Sequence, residues 1–115
     1  MNTELELQLV SKYPKMLQRY AGDPMVTCFY WGFETPDAWY AILDELLEGI
    51  DQVCHNTPGF QVVAEQVKEK FGGLRFYYDL DIDGLDDDNV KAADAKVSTF
   101  IRIAEQQVRQ LVSSL

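Results

Sequence analysis

The chain has no run of 18 apolar residues and no basic-then-apolar leader, so neither a membrane-spanning helix nor a secretory signal is expected. It has only two cysteines, Cys28 and Cys54, too few for a disulfide framework. Both are expected to be reduced and largely buried, in a reducing compartment. There is one histidine, His55, and no Gly-x-Ser-x-Gly, phosphate loop, dinucleotide fingerprint or Cys-x-x-Cys, which removes the commonest sequence signatures of catalysis. A Cys54–His55 dyad lacks a third orienting group, and a zinc set of Cys28, Cys54 and His55 lacks a fourth ligand. Positive charge is also scarce: 10 Lys and Arg against 19 Asp and Glu leave a net charge of −9. A nucleic-acid backbone is repelled at long range by such a chain, so direct nucleic-acid binding is not expected.

What is present describes one cytoplasmic globular domain: 115 residues, 47% apolar and 25% charged, with no linker or internal repeat. Leu5 and Leu9 give a short helix from Thr3 to about Lys12, interrupted at Pro14, and a second helical piece is expected over Pro14 to Tyr20. Met25 to Phe33 is dense in β-branched and aromatic residues and predicts a strand. Thr35, Pro36 and Asp37 read as a helix start. Trp39, Ile42, Leu43, Leu46, Leu47, Ile50, Val53 and Cys54 then trace an apolar helical stripe. Gln61 to Phe71 and Leu74 to Ile82 read as strands joined by a Gly72-Gly73 turn. That register sets Phe71 opposite Leu74, Val67 opposite Tyr78, Val63 opposite Ile82, Lys68 opposite Tyr77 and Lys70 opposite Arg75. A final helix from Asn89 carries Val90, Ala93, Val97, Ile101, Ala104, Val108, Leu111 and Leu115 on one face. The expected fold is α+β: a small antiparallel sheet of about three strands, including the hairpin, packed on two long helices, with a short N-terminal helix.

Four features could carry function. Asp79-Leu-Asp-Ile-Asp-Gly84 matches the start of a calcium loop, but the twelfth position is Val90 rather than Glu. A non-standard site would use Asp79, Asp81, Asp83 and Asp87, with calcium as the alternative to no cofactor at all. The bland reading is an acidic turn in which Asp87 and Asp88 cap the last helix. Second, Glu34, Asp37, Asp44, Glu45, Glu48 and Asp51 lie along one helical segment without a nearby Lys or Arg. They form either a solvated face or a surface that docks on a basic protein. Third, Lys68, Lys70 and Arg75, with Tyr77 beside them, gather on one side of the hairpin. Neutralisation by Glu65, Glu69 or the acidic loop is favoured over an anion site. Fourth, Phe29, Tyr30, Trp31, Phe33, Trp39 and Tyr40 should be mostly core, and any exposed part would be a protein-binding hot spot.

The segment Val67-Lys-Glu-Lys-Phe-Gly-Gly-Leu-Arg-Phe-Tyr-Tyr78 resembles the core of a family of small phage and prophage-encoded proteins. The motif positions are Lys68, Lys70, Phe71, Gly72, Gly73, Arg75 and Tyr77, and the resemblance extends to Lys12-Tyr13-Pro14, to Asp37 to Tyr40 and to Ala104-Glu105. It implies a bacterial cytoplasmic setting and no particular activity. By analogy with small acidic phage proteins it favours a non-catalytic module that binds a host or phage protein of basic surface, as monomer or homodimer. On the sequence alone, the docking residues would be Asp37, Asp44, Glu45, Glu48 and Asp51.

Overall fold

A computed structural model describes residues 1–113. Helix α1 runs Thr3–Lys12, opened by the Asn2 side chain, which accepts the Leu5 N–H at 3.0 Å, and closed at Tyr13. Strand β1 is the pair Phe33–Glu34, and a 3₁₀ turn at Asp37–Trp39 leads into helix α2, Tyr40–Asn56. Strands β2 (Phe60–Lys70) and β3 (Gly73–Ile82) form the hairpin, and helix α3 spans Asp87–Ser113. The architecture is α+β, as the pattern predicts: three strands, two long helices and a short N-terminal helix.

Both long helices bury the predicted stripes, Leu43, Leu46, Leu47, Ile50 and Val53 on α2 and Ala93, Val97, Ala104 and Val108 on α3. The last predicted member, Leu115, lies outside the described residues. The helices meet where Gly49 faces the Phe100 ring, so closely that a Cβ at Gly49 would stand 2.6 Å from Cδ1. Together they close over the sheet, and one buried cluster joins them to Leu9, Met16 and Leu17 of the N-terminal segment and to Phe29 and Phe33. Full burial of each of those two rings contributes roughly 2–3 kcal/mol.

Several expectations are corrected. The sheet is mixed: β1 joins β2 in parallel, Phe33 beside Val67, while β2 and β3 are antiparallel. Only Phe33, the last residue of the expected Met25 to Phe33 strand, lies in a strand, because the stretch of β2 that the rest would need is already taken. The Ala64 N–H donates to Met16 O at 2.9 Å, and the Glu65 carboxylate receives the Cys28 N–H. The segment instead folds on itself as turns and a 3₁₀ turn at Cys28–Trp31, stopped by Gly32 at φ +69°. Pro14 to Tyr20 is a succession of turns rather than a helix.

The hairpin turn is made by Phe71 and Gly72, both at positive φ, rather than by Gly72 and Gly73. Lys70 then pairs with Gly73, Lys68 with Arg75 and Gln66 with Tyr77, two residues out of the expected register. A bulge at Glu65 shifts the pairing again, so that Val63 lies opposite Asp79. Asp86, not Asp87 or Asp88, caps α3 by accepting the Asn89 N–H at 3.0 Å. Asp87 and Asp88 occupy the first turn, where the helix dipole favours them.

Thr35 does not cap α2. It is buried, and its Oγ1 has no hydrogen-bond partner among the described residues. A desolvated hydroxyl without a partner costs on the order of 1 kcal/mol or more, so Thr35→Val is expected to raise stability by about 1 kcal/mol. A thermal melt that moved downward would contradict this.

Candidate functional site

Residues 21–31 form a closed loop whose fold is local chemistry. The Ala21 N–H donates to Phe29 O at 3.1 Å across its neck, and the Asp23 side chain accepts the Met25 N–H at 2.9 Å. Thr27 Oγ1 accepts the Phe29 N–H at 3.0 Å. From beneath, the bulged Glu65 holds the loop: Oε1 accepts the Cys28 N–H at 3.0 Å, and Oε2 takes Arg19 Nη1 at 2.7 Å and the Thr27 hydroxyl at 3.4 Å. Arg19 also reaches Asp79 at 2.6 Å, joining both hairpin strands to the loop.

This anchoring sends alternate residues in opposite directions. Thr27, Phe29 and Phe33 are buried, with the Phe29 and Phe33 rings 5.2 Å apart. Met25, Val26 and Trp31 are 89%, 76% and 70% exposed. Tyr30 is exposed beside Trp31, its ring edge-on at 4.9 Å. Trp39 is buried and Tyr40 half-buried, its hydroxyl donating to Gln8 at 3.1 Å. Cys28, expected in the core, is exposed because the 3₁₀ turn faces it outward, whereas Cys54 is buried.

The acidic helical segment is only partly free. The Asp44 carboxylate is bound by Lys12 Nζ and by the Tyr13 hydroxyl, each at 2.8 Å, an internal tie that also pushes the Tyr13 phenol well above its ordinary range, burial being the larger cause. Asp37 accepts the Asn2 N–H at 2.6 Å. Of the expected docking set, Asp44 and Asp37 therefore have partners within the chain. Glu34, Glu45, Glu48 and Asp51 make no ion pair among the described residues.

The aspartate segment is not gathered around a cation: among the described residues no three acidic, His or Cys side chains are placed to hold a metal. Asp79 and Asp81 stand two residues apart on β3, Asp79 is engaged by Arg19, and Asp87 begins α3. The same finding covers Cys28, Cys54 and His55. Cys54 and His55 do line a cleft of about 470 Å3 with Asp81 and Asp83. However, the Cys54 Sγ accepts the Val62 N–H at 3.4 Å and burial pushes its pKa up, the opposite of what a thiolate nucleophile needs.

The basic cluster is not neutralised as expected. Glu65 is committed to Arg19 and the loop, and Glu69 accepts the Gly72 N–H at 2.7 Å. Among the described residues Lys68, Lys70 and Arg75 have no ion pair.

Two positioning residues are invisible to pattern reading. One is Glu65. The other is Glu6, buried in α1, whose carboxylate accepts the Phe33 N–H at 2.6 Å and the Tyr20 hydroxyl at 2.7 Å. Burial and that hydrogen bond push Tyr20 up to about 12. A helical period places Glu6 beside Leu5 and Leu9, but nothing local marks a carboxylate as buried. No helix of the described residues is long and apolar enough to cross a membrane. Comparison with protein-family models, with curated proteins and with solved structures finds no match.

Proposed function

We propose that this chain is a non-catalytic protein-binding module of the bacterial cytoplasm, a modulator or inhibitor of a host or phage protein with a basic surface. The observation that carries the reading is the outward display of Met25, Val26, Tyr30 and Trp31 on a loop tied down from beneath by Glu65. Large apolar side chains presented together to solvent are a liability unless a partner covers them, and Trp and Tyr are the residue types that anchor interfaces. Because the loop is held by hydrogen bonds on its inner side, little ordering entropy is lost on docking. Glu34 follows the loop directly, and Glu45, Glu48 and Asp51 add negative field that speeds encounter with a cationic partner. The resemblance of the 67–78 segment to phage and prophage proteins supports the same setting.

The test uses the wild-type protein and a Met25→Ser, Trp31→Ser variant as bait in a bacterial lysate at low and high salt. A protein held by the wild type, released by salt and lost with the variant is the expected result, with affinity for the purified partner down by at least about tenfold. Reversing Glu45, Glu48 and Asp51 to Lys should slow association and leave the fold intact. Equal capture by bait and variant would overturn the reading.

A further inference from the structure

The tip of the hairpin and the C-terminal end of α3 enclose an open cleft of about 690 Å3, within the size range of small-molecule sites. Three cations line it, Lys70, Arg75 and Arg109, in a protein whose net charge is −9. None of them has a carboxylate partner among the described residues, and every ion pair there involves Lys12 or Arg19 instead. Lys68 stands directly opposite Arg75 on β3 and beside Glu34 on β1, so the one carboxylate in register with it lies on the side away from Arg75. The missing side chain of Gly73 lets the Arg75 guanidinium fold back over the turn: a Cβ there would lie 3.3 Å from Nη1.

The aromatic group at the mouth of the cleft is unusual on two counts. Phe71 is 91% exposed, and it holds a left-handed backbone conformation, φ 55°, that a bulky residue rarely adopts. Strain at such a position and exposure of the ring are both unfavourable for the free protein, the combination expected where a ligand is to be met. Lys70 Nζ lies 5.7 Å from the ring centroid, so cation and ring face the same space. Gln106 and Gln110 of α3 add amide donors and acceptors to the wall.

We infer that this cleft binds a small phosphate-bearing ligand with a flat ring, a nucleoside diphosphate in chemical class. Guanidinium groups pair with phosphate oxygens in forked geometry, and an exposed aromatic face stacks on a base whatever its identity. The acidic remainder of the molecule disfavours an extended polyanion and leaves room for a ligand carrying two or three charges. The cleft is independent of the Met25 to Trp31 loop, and either assignment can fail without the other.

Titration calorimetry in low-salt, phosphate-free buffer tests it with three probes: ADP, inorganic pyrophosphate and adenosine. ADP is expected to bind one to one, pyrophosphate more weakly, and adenosine not at all through millimolar concentration. Arg109→Gln, on the exposed face of α3, should weaken ADP and pyrophosphate alike by about tenfold. Phe71→Ser should weaken ADP by about tenfold and leave pyrophosphate unchanged. No heat from either anion overturns the site, as does binding indifferent to Arg109→Gln. Pyrophosphate binding as tightly as ADP, with no effect of Phe71→Ser, overturns the nucleotide assignment. A short oligonucleotide that outcompetes ADP overturns the assignment to a small ligand.

Discussion

Gly59→Ala is expected to cost about 3 kcal/mol or more and to leave a protein with a greatly lowered urea midpoint. Gly59 sits between α2 and β2 at φ +91°, and a Cβ there would fall 2.3 Å from the Asp83 carbonyl oxygen. Both sides of that clash are backbone. They are also locked together, since the Asp83 N–H donates to Gly59 O at 2.9 Å, so relief requires breaking the clasp at the open end of the hairpin. Gly84→Ala is the control: its φ is +69°, but nothing lies within 4 Å of the added carbon. It should cost only the left-handed strain of a non-glycine residue, about 1 kcal/mol. Equal losses for the two variants would show that steric approach at Gly59 is not the cause.

Glu6→Ala carries the other large effect, about 2–3 kcal/mol, which for a domain of this size lowers Tm by something on the order of 10 °C. Its removal leaves the Phe33 N–H and the Tyr20 hydroxyl without their acceptors and opens a void beside Gly32. Gly32 is needed for the carboxylate to approach, since a Cβ there would be 2.8 Å from Glu6 Oε2. A double-mutant cycle with Tyr20→Phe separates the two hydrogen bonds: the coupling should be clearly smaller than the full loss, because the backbone bond to Phe33 remains in the Tyr20→Phe background. Wild-type stability in Glu6→Ala would refute the buried anchor.

How much of this the amino-acid order reveals depends on the range of the interactions. The stripes of α2 and α3 and the existence of the hairpin are local periodicities, and they stand where the pattern puts them. The hairpin register does not, because Phe71 takes a left-handed conformation that residue preference assigns to glycine, and Gly73 is used as a strand residue instead. Met25 to Phe33 carries strong β-propensity, yet only Phe33 reaches the β2 edge, since the Ala64 N–H is taken by Met16 O and the Glu65 side chain holds Cys28 as a turn, and no local signal reports that competition. The same long-range pairing, 37 residues apart in sequence between Cys28 and Glu65, fixes the turn that leaves Tyr30 and Trp31 outside while Phe29 and Phe33 are buried. Asp44 illustrates the converse: its place on a solvent-facing helix is legible, but the lysine and tyrosine that claim it come from 32 and 31 residues earlier. The basic hairpin cluster is legible as a cluster, whereas the contribution of Arg109 from the far end of α3 is not.

Strand β3 lies at the outside of the sheet, and its outward side chains bear on how the protein behaves when crowded. An unpaired row of peptide groups is a template on which another molecule of the same chain can zip, the first step toward fibrils. Here Arg75, Tyr77, Asp79 and Asp81 alternate along that margin, so two copies brought edge to edge in parallel register would set Asp79 against Asp79 and Asp81 against Asp81. The charges of this segment therefore disfavour in-register stacking of neighbouring molecules along this margin.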